Sequence, residues 1–192
     1  GAATSGTAVF EQGVPTQTIT GFTTGDVIDL RTVVASTVSV GAGNVVTLKD
    51  AGGATVATLH FDPAQTLGPF GVSSDGHGGT NLIAVKTTYN VGTAAELDAA
   101  LAAISKGGTS SAQNIAYTIH FTGDISLAPL AASAQLAAVN LDTGSSLLID
   151  GAGFTLDGAN AHRGFFENAG NVKIQHLTSA NMLAQGGDGG IG

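Results

Sequence analysis

The chain has 192 residues, 29 of them Gly, with 43% hydrophobic residues, few aromatics and neither Cys nor Trp; it is long enough for one elongated domain or two small ones. Six Lys plus Arg against 14 acidic residues leave a net charge of −8, so no basic stripe exists for nucleic acid or an anionic membrane surface. No apolar run is long enough to cross a bilayer, and without cysteine there is neither a disulfide framework nor a thiolate zinc site.

The chain begins "GAATSGT", with no initiator Met and no signal pattern, and stops within "GGDGGIG"; it reads as an excised piece of a larger protein. Residues 1–88 read as a β-rich module. "QTITGF" runs into "GDVIDL", and "NVVTLKD" and "ATVATLHF" alternate as strands across a "DAGGA" hairpin with Asp50 and Gly52-Gly53 in the turn. A proline-containing loop, "DPAQTLGPF", leads to "SSDGHGGT" and a closing strand, "NLIAV". Short strands punctuated by glycine fit a sandwich or a solenoid edge equally.

One helix is predicted, over residues 94–105. Thr93 and Glu96 form a capping box, the Thr hydroxyl accepting from the N3 amide and the Glu reaching back to the N-cap amide. Leu97, Leu101 and Ile104 share one face, and Lys106-Gly107-Gly108 ends the helix. Beyond it, "NIAYTIHFTGDISL", "SSLLIDGAGFTLDGA" and "GNVKIQHLTSANM" are apolar strands separated by Gly, Asn and Asp corners, with no hairpin signal between them. Ile149 and Ile174 stand one repeat apart, within the solenoid range of roughly 20–50 residues. Stacked coils of a right-handed parallel β-helix would satisfy such strands, with the helix covering an open first coil that would otherwise invite aggregation. The predicted fold is therefore mainly β: a β-rich module over 1–88, then over 89–192 a short capping helix and the start of the solenoid.

The run "ELDAALAAI…YTIHFTGDISL…SSLLIDGAGFTLDGA…RGFFENAGNVKIQHLTSANMLAQGGDGG" resembles the N-terminal passenger region of β-helical bacterial autotransporters and related large secreted adhesins. "ITGFTTGDVIDL…GVSSDGHGGTNLIAV" is similar to a module of giant secreted bacterial repeat proteins. The resemblance implies a secreted or cell-surface adhesive segment whose partners are host or cell-surface glycans or proteins and the rest of its own parent chain. It implies no catalytic, cofactor or metal residues, because its pattern consists of structural corners.

Several residues invite chemistry all the same. Asp142-Thr143-Gly144-Ser145-Ser146 matches the active-site loop of aspartic proteases, which need two carboxylates sharing a proton. The alternative is a turn, with Asp142 accepting backbone amides and Gly144 at positive φ. Asp150 and Asp157 are a conceivable glycosidase pair, one of them kept protonated, or two corner residues. Gly76-His77-Gly78 is similar to a polygalacturonase element, but the companion motifs are missing. Calcium sites are weighed at Asp26/Asp29, at Asp75 and in "GGDGGIG", where Ile191 replaces the expected Asp ligand. His60, His120 and His176 fall in expected strands; with His77 and His162 they give no ligand-spaced pair. Phe165-Phe166 is either an adhesive patch or one core ring beside one corner ring. The expectation is no catalytic centre, cofactor or metal in this segment. The rivals are a β-helical polysaccharide-degrading enzyme with its site downstream, and a calcium-stabilised secretion module.

Overall fold

The computed structural model describes residues 6–131 and 134–184. Its first half holds seven strands: β1 (Thr7–Phe10), β2 (Val27–Leu30), β3 (Thr37–Gly41), β4 (Val45–Lys49), β5 (Thr55–His60), β6 (Phe70–Ser74) and β7 (Thr80–Ala84). They form two sheets, β1-β2-β7-β6 and β3-β4-β5. The β4–β5 hairpin closes at the expected turn, where Asp50 Oδ1 accepts the Gly52 and Ala54 amides and Gly53 adopts φ 84°. The strand expected to close the module, β7, lies inside its sheet between β2 and β6.

Alternation sets one apolar row of each sheet inward. Val46, Leu48, Ala57 and Leu59 from one sheet meet Ile28, Leu30, Val72 and Leu82 from the other in a common core. Phe22, Phe61 and Phe70 complete it, their ring centroids 5.3–5.7 Å apart, in the range where aromatic pairs attract beyond their buried area.

The second half contains β8 (Thr88–Val91), helix α1 (Ala94–Ile104), β9 (Ala116–Phe121), β10 (Ile125–Ser126), β11 (Val139–Asn140), β12 (Ser146–Asp150), β13 (Thr155–Asp157), β14 (Glu167–Ala169), β15 (Asn171–Gln175) and β16 (Thr178–Ala180). These strands make three sheets, β8-β9-β12-β15, β10-β13-β16 and β11-β14. Every pairing within them is parallel. In the first sheet Ile119, Ile149 and Ile174 are register partners, as are Tyr117, Leu147 and Val172. The protein is thus mainly β, with several sheets, and among the described residues no sheet closes into a barrel.

Helix α1 starts as its sequence demands, with Thr93 Oγ1 accepting the Glu96 amide at 3.2 Å. The return arm reaches further than expected: Glu96 Oε2 takes the Gly92 amide at 2.9 Å and the Thr93 hydroxyl at 3.1 Å. Both bonds favour the charged carboxylate and hold Glu96 below its ordinary pKa. The helix buries Ala94, Leu97, Ala100, Leu101 and Ile104 against the parallel strands. It does not cover the start of the parallel strands alone. The sheet edge beside β9 is closed by β8, a strand sequence reading overlooked. The helix end serves β11 instead: Ser105 Oγ donates to the Ala138 carbonyl and accepts the Asn140 amide, and the Lys106 amide donates to the Asn140 carbonyl. Asp98 adds a bond from the Ala137 amide at 2.7 Å.

The link from α1 to β9 packs on the first half. The Gln113 amide donates to the Val72 carbonyl at 2.8 Å, and Ala112 shares a small apolar cluster with Ile83 and Val85. A side chain on Gly71 would lie 2.2 Å from the Ala112 Cβ, so glycine is required for this approach. Tyr117 locks the link from within: its hydroxyl donates to the Ser110 carbonyl at 2.5 Å and accepts the Ala112 amide. Burial pushes that hydroxyl up to about 12 despite the hydrogen bond from Ala112.

Candidate functional site

The two Asp-Gly phrases build equivalent corners. Asp150 ends β12 and its Oδ1 accepts the Ala152 amide at 3.1 Å; Asp157 ends β13 and its Oδ1 accepts the Ala159 amide at 2.9 Å. Ala152 and Ala159 both take left-handed φ, 49° and 53°. The glycine between Asp and Ala is fixed by the backbone lying on top of it. A Cβ on Gly151 would sit 2.5 Å from the His176 carbonyl, and one on Gly158 would sit 2.6 Å from the Asn181 carbonyl. The stacked corners are also bonded to each other, Gly151 N–H to Gln175 O and Gly158 N–H to Ala180 O, each at 2.9 Å.

Side chains tie the same corners together. Asp150 receives His176 Nδ1 at 3.1 Å and Gln175 Nε2 at 3.3 Å; Asp157 receives Asn181 Nδ2 at 3.0 Å. The Ala152 amide above all, with His176 and Gln175, holds Asp150 below the usual carboxylate range; the Ala159 amide and Asn181 do the same for Asp157. A glycosidase acid needs the opposite shift. The two carboxylates also belong to different sheets. Both are corner residues.

Asp142 is a corner residue too. Its carbonyl accepts the Ser145 amide at 3.0 Å and Gly144 adopts φ 76°, as the turn requires. Contrary to the sequence expectation, its carboxylate does not accept the amides of its own turn; Oδ2 takes the Ser111 hydroxyl at 2.5 Å. Ser145, the fourth residue of the motif, bridges the stacked corner, its Oγ donating to the Ala112 carbonyl and accepting the Ile115 amide.

The remaining candidates separate. Asp26 is the cap of a local turn, accepting the Gly6 and Thr23 amides and the Thr23 hydroxyl. Burial works to raise its pKa, but those bonds outweigh it and the net shift is downward. Asp29 pairs with Arg31 at 2.9 Å. Asp75 accepts the His77 and Gly79 amides in the β6–β7 turn. Among the described residues no three His, Cys, Asp or Glu side chains gather to hold a metal, and no helix is long and apolar enough to cross a membrane. The "GGDGGIG" stretch with Ile191 lies outside the described residues.

His60 ends β5 and is exposed, while His120 sits in β9 in register with Asp150. His176 lies just past β15 at φ 50° and not within a strand. His162, without any sequence signal, is buried, its Nδ1 2.9 Å from the Ala134 carbonyl. Phe165 packs on the core, but Phe166 occupies no corner pocket: it is 49% exposed beneath the Arg163 guanidinium, 4.9 Å from the ring centre.

The surface most unlike its surroundings is the end of the parallel core. Ile119 and Ile149 are fully buried, yet their register partner Ile174 is 46% exposed. Leu183 is exposed nearby in sequence, and β15 and β16 are the outer strands of their sheets. Comparison with family models, with curated proteins and with solved structures gives no match.

Proposed function

We propose that residues 88–180 are the first coils of a right-handed parallel β-helix, and that the chain is a structural and adhesive segment of a bacterial secreted or surface-displayed protein. The ladder Ile119–Ile149–Ile174 carries the reading: two rungs are closed and the third is open. The sheet partners also recur in chain order, β9-β12-β15, β10-β13-β16 and β11-β14, as winding requires. Right-handedness follows the strong preference of parallel crossovers. On this reading β8 and α1 cap the start, and the open rung is the template on which a further coil settles.

An adhesive role is supported by the resemblance of the helix, the two Asp-Gly corners and the "GNVKIQHLT" strand to autotransporter passengers, and by corner carboxylates engaged in structure. The partners on this reading are host or cell-surface glycans or proteins, and the location is the cell exterior. Retention of the labelled chain on host cells and on glycan- or protein-coated surfaces is the test. Binding no better than to a blocked surface removes the adhesive role. Nuclear Overhauser contacts between β9 and β12 test the winding separately; an antiparallel pattern there ends it.

A further inference from the structure

We infer that the cleft between the two halves of the molecule is a binding groove for a neutral oligosaccharide. The inference deepens the adhesive reading and rests on it for the source of the ligand. A cavity of about 380 Å³ opens where the outer face of the β2-β7-β6 sheet meets the end of α1 and the Asp142 corner. That volume lies in the small-molecule range of roughly 300–1,000 Å³, and junctions between folding units are where such sites concentrate. A second cavity, of about 590 Å³ along the Asp142–Ser146 corner, shares Lys106 and Asp142 with the first. The two together form a groove suited to an extended chain.

The lining chemistry selects the ligand. Ser73, Asn81, Lys106, Ser111, Gln113 and Asp142 face the first cavity. The bonds holding the walls use other atoms: the Gln113 amide N–H donates to Val72 and the Lys106 amide N–H to Asn140. Ser111 and one Asp142 oxygen are engaged with each other. The side-chain amides of Asn81 and Gln113, the Ser73 hydroxyl and the Lys106 ammonium stay uncommitted among the described residues. Carboxamides and hydroxyls give and accept hydrogen bonds at once, which matches sugar hydroxyls that do the same. Val27 and the largely buried Ile83 form the apolar base of the cleft.

Charge excludes the acidic alternative. One ammonium and one carboxylate balance inside the cleft, while the chain carries a net −8, which repels a polyanion. Asp29 reinforces the local polarity. It pairs in register with Asn81, as Asn81 does with Ser73, and lies on the same sheet face. It is 6% exposed, and its Oδ1 has no hydrogen-bond partner among the described residues.

The test uses the full chain against an array of neutral and acidic oligosaccharides, with saturation-transfer NMR on the neutral ones. Neutral oligosaccharides are expected to bind. The double variant Asn81→Ala, Gln113→Ala is expected to bind about tenfold more weakly, since hydrogen bonds to ligand are lost, with an unchanged melting temperature. Val40→Lys, exposed on β3 in the other sheet and outside both cavities, serves as a control expected to bind as the parent does. No neutral binding, binding confined to acidic sugars, or equal binding by the double variant overturns the groove. If the chain still adheres to cells while the double variant binds sugars as the parent does, the groove falls and the adhesive reading survives. If neutral sugars bind through the cleft but the chain is retained on no cell, the groove stands and the adhesive reading falls.

Discussion

The two halves of this protein are both β-rich but are held by different means. In the first half, β4 and β5, and β6 and β7, are sequence neighbours paired antiparallel, and each pair closes through its own turn. Among the described residues of the second half all pairs are parallel and no partner strands meet through a tight turn: α1 lies between β8 and β9, and other strands lie between the rest. Glycine records the difference. Gly53 is needed for its backbone angle, φ 84°, with nothing near a would-be Cβ; Gly151 has no positive φ but carries the next corner on its α-carbon. One residue type answers a local demand in one half and a non-local demand in the other.

Substitutions along the isoleucine ladder should separate the two halves most strongly. Ile149→Ala removes a fully buried side chain and is expected to cost about 2–5 kcal/mol in denaturant unfolding. Ile174→Ala, in the same register but 46% exposed, is expected to cost about 1 kcal/mol or less. Equal losses would mean that the third rung is covered in solution, and the open end would be no template.

Asparagine substitutions separate the two glycine roles at a smaller scale. Asn tolerates left-handed φ, so Gly53→Asn should change stability by about 0.5 kcal/mol or less. Gly151→Asn must push a Cβ into the His176 carbonyl and Leu177, at about 1–3 kcal/mol. Between those two falls Thr93→Ala, which removes the α1 cap and should lower stability by about 1 kcal/mol. Because α1 packs on the parallel strands, hydrogen exchange should quicken there first and leave the β4–β5 hairpin unchanged.

What could be read from sequence follows the same division. The "DAGGA" hairpin and the Thr93–Glu96 cap are local signals, and both stand in the structure. The Ile149–Ile174 spacing was legible because apolar residues there fall on one register. β8 was not: four residues long, it pairs with β9 only after the chain has passed through α1, so no nearby residue announces it. The two- and three-residue strands β10, β11, β13, β14 and β16 are held by a parallel partner distant in sequence, not by propensity. Burial of His162 and the hold of Asp142 on Ser111 depend on distant backbone and have no periodic signature. The cleft itself joins residues of β6, β7, the end of α1 and the Asp142 corner, a meeting that only the fold creates.

Acid gives the smallest effect and the most specific one. Asp150 and Asp157 are ionised more readily in the folded chain than ordinary carboxylates, because corner amides and next-corner side chains bond the charged form. A lowered folded pKa means that this contribution is whole above the unfolded carboxylate value and is lost as pH falls through the lowered one. Asp75 in the β6–β7 turn shifts the same way, the His77 and Gly79 amides overcoming its burial, so both halves loosen in acid. One asparagine variant isolates the second half. Asp157→Asn retains an oxygen that can accept from Ala159 and Asn181 but cannot be protonated in this range, so the corner should keep its shape and lose its pH response. Carboxyl ¹³C titration of the parent should place Asp157 below the usual range, and the β13–β16 amides of the variant should stop shifting with acid. If those amides still move as they do in the parent, the stacked corners are not held by this carboxylate, and the distinction between a locally closed half and a stack-dependent one loses its electrostatic part.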